Sequence, residues 1–352
     1  MIPHSRPSIT AAELRAVASV LRGGMLGEGV RAAALEHEIA EAAGFAGGVS
    51  CGSGCQALWL SLLAKEVGRG DEVILPTYVC SEVSETIRRM GATPVAVDVG
   101  DDWHLSFEAV ADAQTRRSRA IIAPRLFGFG KDFTPLRSLG LPVIEDWAQF
   151  AHPSPERLSP TCGDIVFHSF EATKVLTAGE GGMALVRDRA LLARLRKLKR
   201  IQGSRSRFNL TPLSDLQAAL AGAQWRRLPA MLARRRVLAQ RYLTELGSLR
   251  GIRWPDATFL QRATHFRLPF RARLRRMADG QRVIDDFAAA GIAVRRPVAT
   301  LVAPGRSTPN ASRLLRETLS LPLYPALTDH DQTRIIAAAQ TILARLEPFD
   351  DA

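Results

Sequence analysis

Seven short apolar runs punctuate the first half of the chain, and helical patterns follow several of them. The runs are GGVSC (47–51), EVILP (72–76), TPVAVDV (93–99), RAIIAPRLF (119–127), LPVIED (141–146), DIVFHSF (164–170) and GMALV (182–186). Val, Ile and Leu dominate them with little polar alternation. A strand with one wet face alternates; a strand covered on both faces does not. The pattern therefore predicts an α/β fold, a mostly parallel seven-stranded sheet with helices over it.

After Val186 the character changes. RALLARLRKLKRIQG and PLSDLQAALAGAQWRRLPAMLARRRVLAQRYLTELG read as long helices. Beyond Gly247 a mixed segment follows, with THFRLPF, DGQRVIDDFAAAGIAVRRPV and TDHDQTRIIAAAQTILARLE in order. The 352 residues suit a large domain over 1–245 and a smaller α+β domain over 246–352, with the N-terminal segment packing on the smaller one.

Bulk properties narrow the function. The chain is 46% hydrophobic and 23% charged, and no apolar run is long enough to cross a bilayer. The start, MIPHSRPSITAAELRAV, lacks the layout of a secretory signal, so a cytoplasmic location is expected. The formal net charge is +12, which raises the question of nucleic acid. Yet the basic clusters RLRKLKR (194–200), RRR (234–236) and RARLRR (271–276) are not interleaved with aromatics, and no nucleic-acid-binding signature accompanies them. The first two fall in helical patterns and read as solvated faces. No nucleic acid and no membrane are expected as partners, while a general attraction for anionic small molecules fits the charge. Cys51, Cys55, Cys80 and Cys162 match no zinc spacing and read as reduced core or pocket thiols; no metal is expected. Only five lysines occur, Lys65, Lys131, Lys174, Lys197 and Lys199, which leaves few candidates for amine chemistry.

Three motifs carry chemistry. CGSGCQAL (51–58) follows a strand and opens a helix, so backbone N–H groups at Gly54, Cys55 and Gln56 can cradle a phosphate. It also satisfies the short G-x-G-x-x-A form of a dinucleotide fingerprint, with Asp71 and Glu72 about twenty residues on. VIEDWAQ (143–149) ends a buried strand on two acids, where open α/β sheets bind ligands; Asp146 faces a cofactor or caps a helix, and Gln149 shares the site. HSFEATKVLTAGEGGMALV (168–186) sets Lys174 between two buried strands, after Ser169 and Thr173 and before a run of glycines. A lysine held beside apolar walls becomes a nucleophile toward carbonyls. A phosphate cradle, an acid for a pyridine nitrogen and a Schiff-base lysine, in that order at consecutive strand ends, together describe pyridoxal phosphate.

With these residues in view, the chain resembles the DegT/StrS-type nucleotide-sugar aminotransferases, which are fold-type I pyridoxal phosphate enzymes. The likeness is densest in VIEDWAQ and SFEATKVLTAGEGGMALV and extends from GGMLGEGVRAAALEHEIAEAAG to LPLYPALTDHD. It implies that Lys174 binds the cofactor covalently and shuttles the proton. It further implies that Asp146 keeps the pyridine nitrogen protonated, that Gln149 meets the ring oxygen, and that Ser169 with Gly54, Cys55 and Gln56 holds the phosphate. Glu180, Gly181 and Gly182 line the loop after the lysine. Asn209 is implied at the partner subunit's phosphate site of a homodimer. Cys55 stands where the family usually has threonine, Cys80 where an aromatic ring commonly stacks on the cofactor, and Arg125 where a histidine is common. The implied reaction moves an amino group from an amino acid, glutamate by analogy, to a ketone such as a keto-sugar nucleotide. Family dehydratases lack the lysine, so Lys174 argues against that chemistry in this chain. A different pyridoxal phosphate reaction, a nicotinamide oxidoreductase built on GSGCQA, and a catalytically silent relative are the alternative readings.

Overall fold

The computed structural model describes residues 1–205, 210–303 and 307–349. In chain order its elements are α1 (Ala11–Gly23), α2 (Val30–Ala42), β1 (Gly47–Cys51), α3 (Gly54–Ala64), β2 (Glu72–Pro76), α4 (Ser81–Arg89), β3 (Thr93–Val97), α5 (Phe107–Ala113), β4 (Ser118–Pro124), β5 (Val143–Asp146), β6 (Ile165–Ser169) and β7 (Gly182–Val186). There follow α6 (Arg189–Arg205), α7 (Asp215–Leu246), β8 (Ile252–Arg253), α8 (Ala257–Gln261), β9 (Pro269–Ala272), α9 (Met277–Ala289), α10 (Pro309–Glu317), β10 (Thr318–Ser320) and α11 (Asp329–Leu343).

The seven expected strands form one sheet in the order β1-β7-β6-β5-β4-β2-β3. It is parallel except at β7, which runs antiparallel to both neighbours, β6 and β1. The apolar runs do not alternate in polarity because they alternate in destination. Ile165 and Phe167 on β6 face one core with α3, while Val166 faces the other with α2 and α7. On β7, Ala184 and Val186 take the first core, and Met183 and Leu185 the second.

Helix starts follow ordinary capping chemistry. Thr10 and Glu13 form a capping box on α1, and Ser53 caps α3 by accepting from the Gln56 N–H at 3.2 Å. The start of α2 is different. Its N-cap is Gly29, which has no side chain to offer. Asp215, at the start of α7, supplies the acceptor instead: its Oδ1 takes the N–H groups of Gly29, Arg31 and Ala32 at 2.9, 3.1 and 3.0 Å.

A three-stranded antiparallel sheet, β10-β9-β8, lies after α7 and has its own core. Leu238, Tyr242 and Leu246 of α7 enter that core with Phe270, Phe287, Leu319 and Ile335. Ile2 enters it too, pairing with Ile292. The helix α7 thus serves both layers.

One expectation about charge is corrected here. The RRR run at 234–236 is not uniformly a solvated face, because Arg235 is buried. Its Nη1 donates to the carbonyls of His265, Phe266 and Leu323 at 3.1, 3.4 and 3.0 Å. Those carbonyls have no strand partner there, and a guanidinium fork satisfies three at once. Among the described residues no helix is long and apolar enough to cross a membrane.

Candidate active site

The sheet register brings three chain segments to one edge. Pro124 pairs with Asp146, Asp146 with Phe167, and Ser169 with Gly182, which in turn pairs with Cys51. The carboxyl ends of β4, β5 and β6 therefore open beside the N-terminus of α3. A cleft of about 550 Å³ lies there. Gly54, Cys55, Cys80, Asp146, Gln149, Ser169 and Lys174 all line it, as do Arg125, Thr173 and Glu180.

The phosphate end is shaped by missing side chains. A Cβ on Gly54 would lie 2.8 Å from Ser169 Cβ, and one on Gly182 only 2.4 Å from the Ser53 carbonyl oxygen. Glycine at both places lets the start of α3 press onto the ends of β6 and β7. The first-turn N–H groups of Gly54 and Cys55 have no intrahelical acceptor, which leaves them for an anion. Gln56 behaves otherwise than the sequence suggests. Its N–H goes to the Ser53 cap, and its Oε1 accepts from Gly52 N, Thr211 N and Thr211 Oγ1 at 3.0, 3.1 and 3.2 Å. It ties the turn to the 211 segment and does not line the cleft. Asn209 lies outside the described residues.

Asp146 is buried at the end of β5 and accepts the Ala148 N–H at 2.8 Å. Burial raises its carboxyl to about 6, against the opposing pull of that hydrogen bond and of the Lys174 charge. Its neighbour Glu145 points the other way. It is fully buried, receives Arg125 Nε at 2.8 Å and Trp147 Nε1 at 2.9 Å, and takes the Cys162 and Gly163 N–H groups at 2.7 and 2.9 Å. Arg125 also donates to the Pro160 carbonyl at 2.7 Å and lies over the Trp147 and Phe150 rings. The arginine at this position is thus half of a buried ion pair that fixes the loop beneath the cleft.

Gln149 is held by a bond the sequence does not announce. The Phe127 N–H donates to its Oε1 at 2.7 Å, which fixes the amide and turns its NH₂ into the available donor. Phe127 has a positive φ of 59° in the turn after β4.

Lys174 follows a tight turn in which its N–H donates to the Glu171 carbonyl at 3.0 Å. Beyond it the chain folds back: Gly181 carbonyl accepts from Phe170 N at 2.8 Å, and Gly181 has φ +141°. A Cβ there would also meet Leu213 at 2.6 Å. Thr173 is not free for a ligand, since its hydroxyl donates to Glu171 Oε2 at 2.6 Å. The Lys174 ammonium lies 5.5 Å above the Phe266 ring.

Cys80 and Cys55 share the cleft with Glu82. The Cys80 thiol donates to Glu82 Oε2 at 2.5 Å. Burial and that carboxylate push the thiol up to about 12, so it remains protonated. Burial also raises Cys55. Tyr78 does not take the ring-stacking place; it is buried edge-on to Phe127.

Phe266, Arg267 and the 297–300 segment close the cleft from the second layer, and sequence reasoning missed them. THFRLPF reads as an ordinary strand with nothing to flag its outward residues. The nicotinamide alternative loses its acids. Asp71 and Glu72 sit at the opposite, amino end of β2, paired with Arg119 and Arg117 at 3.3 and 2.5 Å.

A helix N-terminus closed by glycines, a buried acid beyond a strand end and a lysine amine within one cleft fit the phosphate, pyridine nitrogen and carbonyl of pyridoxal phosphate. Comparison with known proteins agrees. The model of the DegT/DnrJ/EryC1/StrS aminotransferase family matches residues 7–340. The chain is 34% identical over 367 residues, 95% of each protein, to a dTDP-3-amino-3,4,6-trideoxy-alpha-D-glucose transaminase of Micromonospora megalomicea subsp. nigra. The fold matches the aminotransferase TlmJ of Streptoalloteichus hindustanus with a TM-score of 0.88 at 28% identity, over 98% of this chain and 99% of that one. It matches S. venezuelae DesV with a TM-score of 0.82 at 28% identity, over 96% and 95%. The chain belongs to the DegT/DnrJ/EryC1/StrS aminotransferase family and is a pyridoxal phosphate-dependent aminotransferase.

Proposed function

We propose that this aminotransferase moves an amino group from an amino acid, glutamate, to a keto-sugar nucleotide or a related cyclic ketone. The observation that carries the reading is the convergence of Lys174, Asp146, Ser169 and the α3 N-terminus on one cleft. The likeness to a dTDP-sugar transaminase supports the acceptor class.

Pyridoxal phosphate, when bound, supplies an electron sink for the carbon that carries the amino group. The chain's own residues do the rest. Lys174 Nζ holds the cofactor covalently and then takes a proton from the donor's α-carbon and returns one, as general base and acid. Asp146 holds a proton on the pyridine nitrogen; a carboxylate without solvent is a strong partner for such a cation. Gly54 and Cys55 N–H and the Ser169 hydroxyl receive the phosphate. The fixed Gln149 amide donates to the ring oxygen. Cys80, tied to Glu82, lines the cleft and would offer a bound cofactor a smaller wall than an aromatic side chain would.

We also propose a large cofactor-binding unit through residue 245, a smaller unit from 246 and a homodimer working in the cytoplasm. Leu14, Leu21, Met25, Leu26 and Val30 are exposed along α1 and the start of α2, an apolar patch that a second subunit would cover.

The test is covalent. The purified protein should be yellow, and borohydride should fix the cofactor to the peptide holding Lys174. Lys174→Ala should abolish that label and lower turnover by about 10³-fold or more. Labelling at Lys65, Lys131, Lys197 or Lys199 would overturn the assignment.

A further inference from the structure

Arg267 lines the cleft beside the lysine, and among the described residues its guanidinium has no carboxylate in ion-pair contact. Glu171 lines the same cleft and attracts it, but that carboxylate is held by the Thr173 N–H and hydroxyl at 3.0 and 2.6 Å. The guanidinium is nevertheless fixed. Its Cζ lies 4.5 Å over the Phe266 ring, the ring that Lys174 Nζ also overlies. Its Nη1 donates to His4 Nδ1 at 2.9 Å, and His4 Nε2 meets Ser320 Oγ at 2.8 Å. Burial first, and then the charges of Arg267 and Arg295, hold His4 near 2, so the ring is neutral. A neutral His4 that accepts at Nδ1 carries its proton on Nε2 and gives it to Ser320. The chain Ser320–His4–Arg267 thus orients a cation without neutralising it. Arg235, from beneath, secures the carbonyls of His265 and Phe266 just before it.

A half-buried guanidinium with no carboxylate in ion-pair contact, aimed by a neutral acceptor, is a receptor for an anion. Phe266 places it within reach of a small molecule whose amine meets Lys174. We propose that Arg267 binds the α-carboxylate of the amino donor and so sets the enzyme's preference for α-amino acids over simple amines. The inference rests on the aminotransferase reading with glutamate as donor.

Two probes test it on the cofactor-loaded enzyme. α-Methyl-L-glutamate has no α-proton and reports binding through the cofactor's absorbance. L-Isoglutamine carries an amide in place of the α-carboxylate. In Arg267→Gln the apparent Kd for α-methyl-L-glutamate should rise about 30-fold or more, and less in Arg267→Lys, which keeps the charge but not the fork. L-Isoglutamine should bind wild type weakly and lose little further in the variant. The melting temperature and resting spectrum of Arg267→Gln should match wild type, which separates lost binding from misfolding. Equal affinity of wild type and Arg267→Gln for α-methyl-L-glutamate would overturn the inference alone. So would an equal loss with L-isoglutamine. If the variant instead loses inhibition by dTDP and keeps its amino-acid affinity, the anion is a phosphate and the inference falls. If wild type shows no spectral response to α-methyl-L-glutamate, the donor beneath the inference falls with it.

Discussion

The floor and the wall of the cleft are built on opposite principles. The floor comes from strand ends and one helix start, and each residue is placed by hydrogen bonds to close neighbours in sequence or in the sheet. Asp146 leans on Ala148, Lys174 on Glu171, and Ser53 on Gln56. The wall at 265–267 has no such local support. It is held by Arg235 from α7, by Phe127 after β4 and by His4 near the chain start. A floor of this kind is made by short motifs, and a wall of this kind by distant single residues. The same division separates the cofactor, which needs a fixed cradle, from the substrates, which vary around it.

Asp146 offers the largest test of the floor. On rising pH an unfolded aspartate loses its proton near pH 4 and the folded Asp146 near about 6, so the unfolded chain binds fewer protons in between. Stability of the cofactor-free protein should therefore fall across that window. Asp146→Asn should remove the fall, and the empty variant should melt no lower than wild type above pH 6. Its cofactor affinity should drop by about 3 kcal/mol, a little over a hundredfold, as read by titration with pyridoxal phosphate. Wild-type affinity should itself decline as pH falls below about 6. Unchanged affinity in the variant would detach Asp146 from the floor.

The wall should fail differently. Arg235→Met strips three buried carbonyls of their donor and should cost about 2–3 kcal/mol in denaturant unfolding. Cofactor affinity should stay close to wild type, while the Km for the amino donor rises as Phe266 and Arg267 loosen. Loss of cofactor with intact donor binding would erase the distinction between the two regions. The smallest expected effect is Gly54→Ala, where the added methyl meets Ser169; about 1–2 kcal/mol of weaker cofactor binding should appear in the same titration.

What could be read in the sequence follows this division. The sheet was legible because most of its strands are buried on both faces, which writes short runs of Val, Ile and Leu bounded by turn residues. That Asp146, Ser169 and Lys174 would meet in one cleft was legible because the first two end buried strands and the third follows directly after one. Gln56 misled, since the pattern shows that a turn binds something but not which of its N–H groups is already spent on a cap. Arg235 misled because a buried guanidinium among carbonyls looks, in sequence, like one more arginine on a helix. Arg267 was silent: among the described residues it forms no ion pair, and the lack of such a partner is a property of space. Asp71 and Glu72 fit a fingerprint by spacing, yet the sheet places them at its far edge with Arg119 and Arg117.

The bond between His4 and Arg267 also bears on time. His4 precedes its partners Arg267 and Ser320 by 263 and 316 residues. Asp215 likewise completes a helix that begins at Val30. His4 therefore stays without these two partners until the chain has been made through residue 320. The strands of the floor are complete once β7 is synthesised, but the wall at 265–267 gains its last support only when the segments around residues 4 and 320 meet. In order of synthesis, the strands beneath the cleft come first and the support of Arg267 comes late.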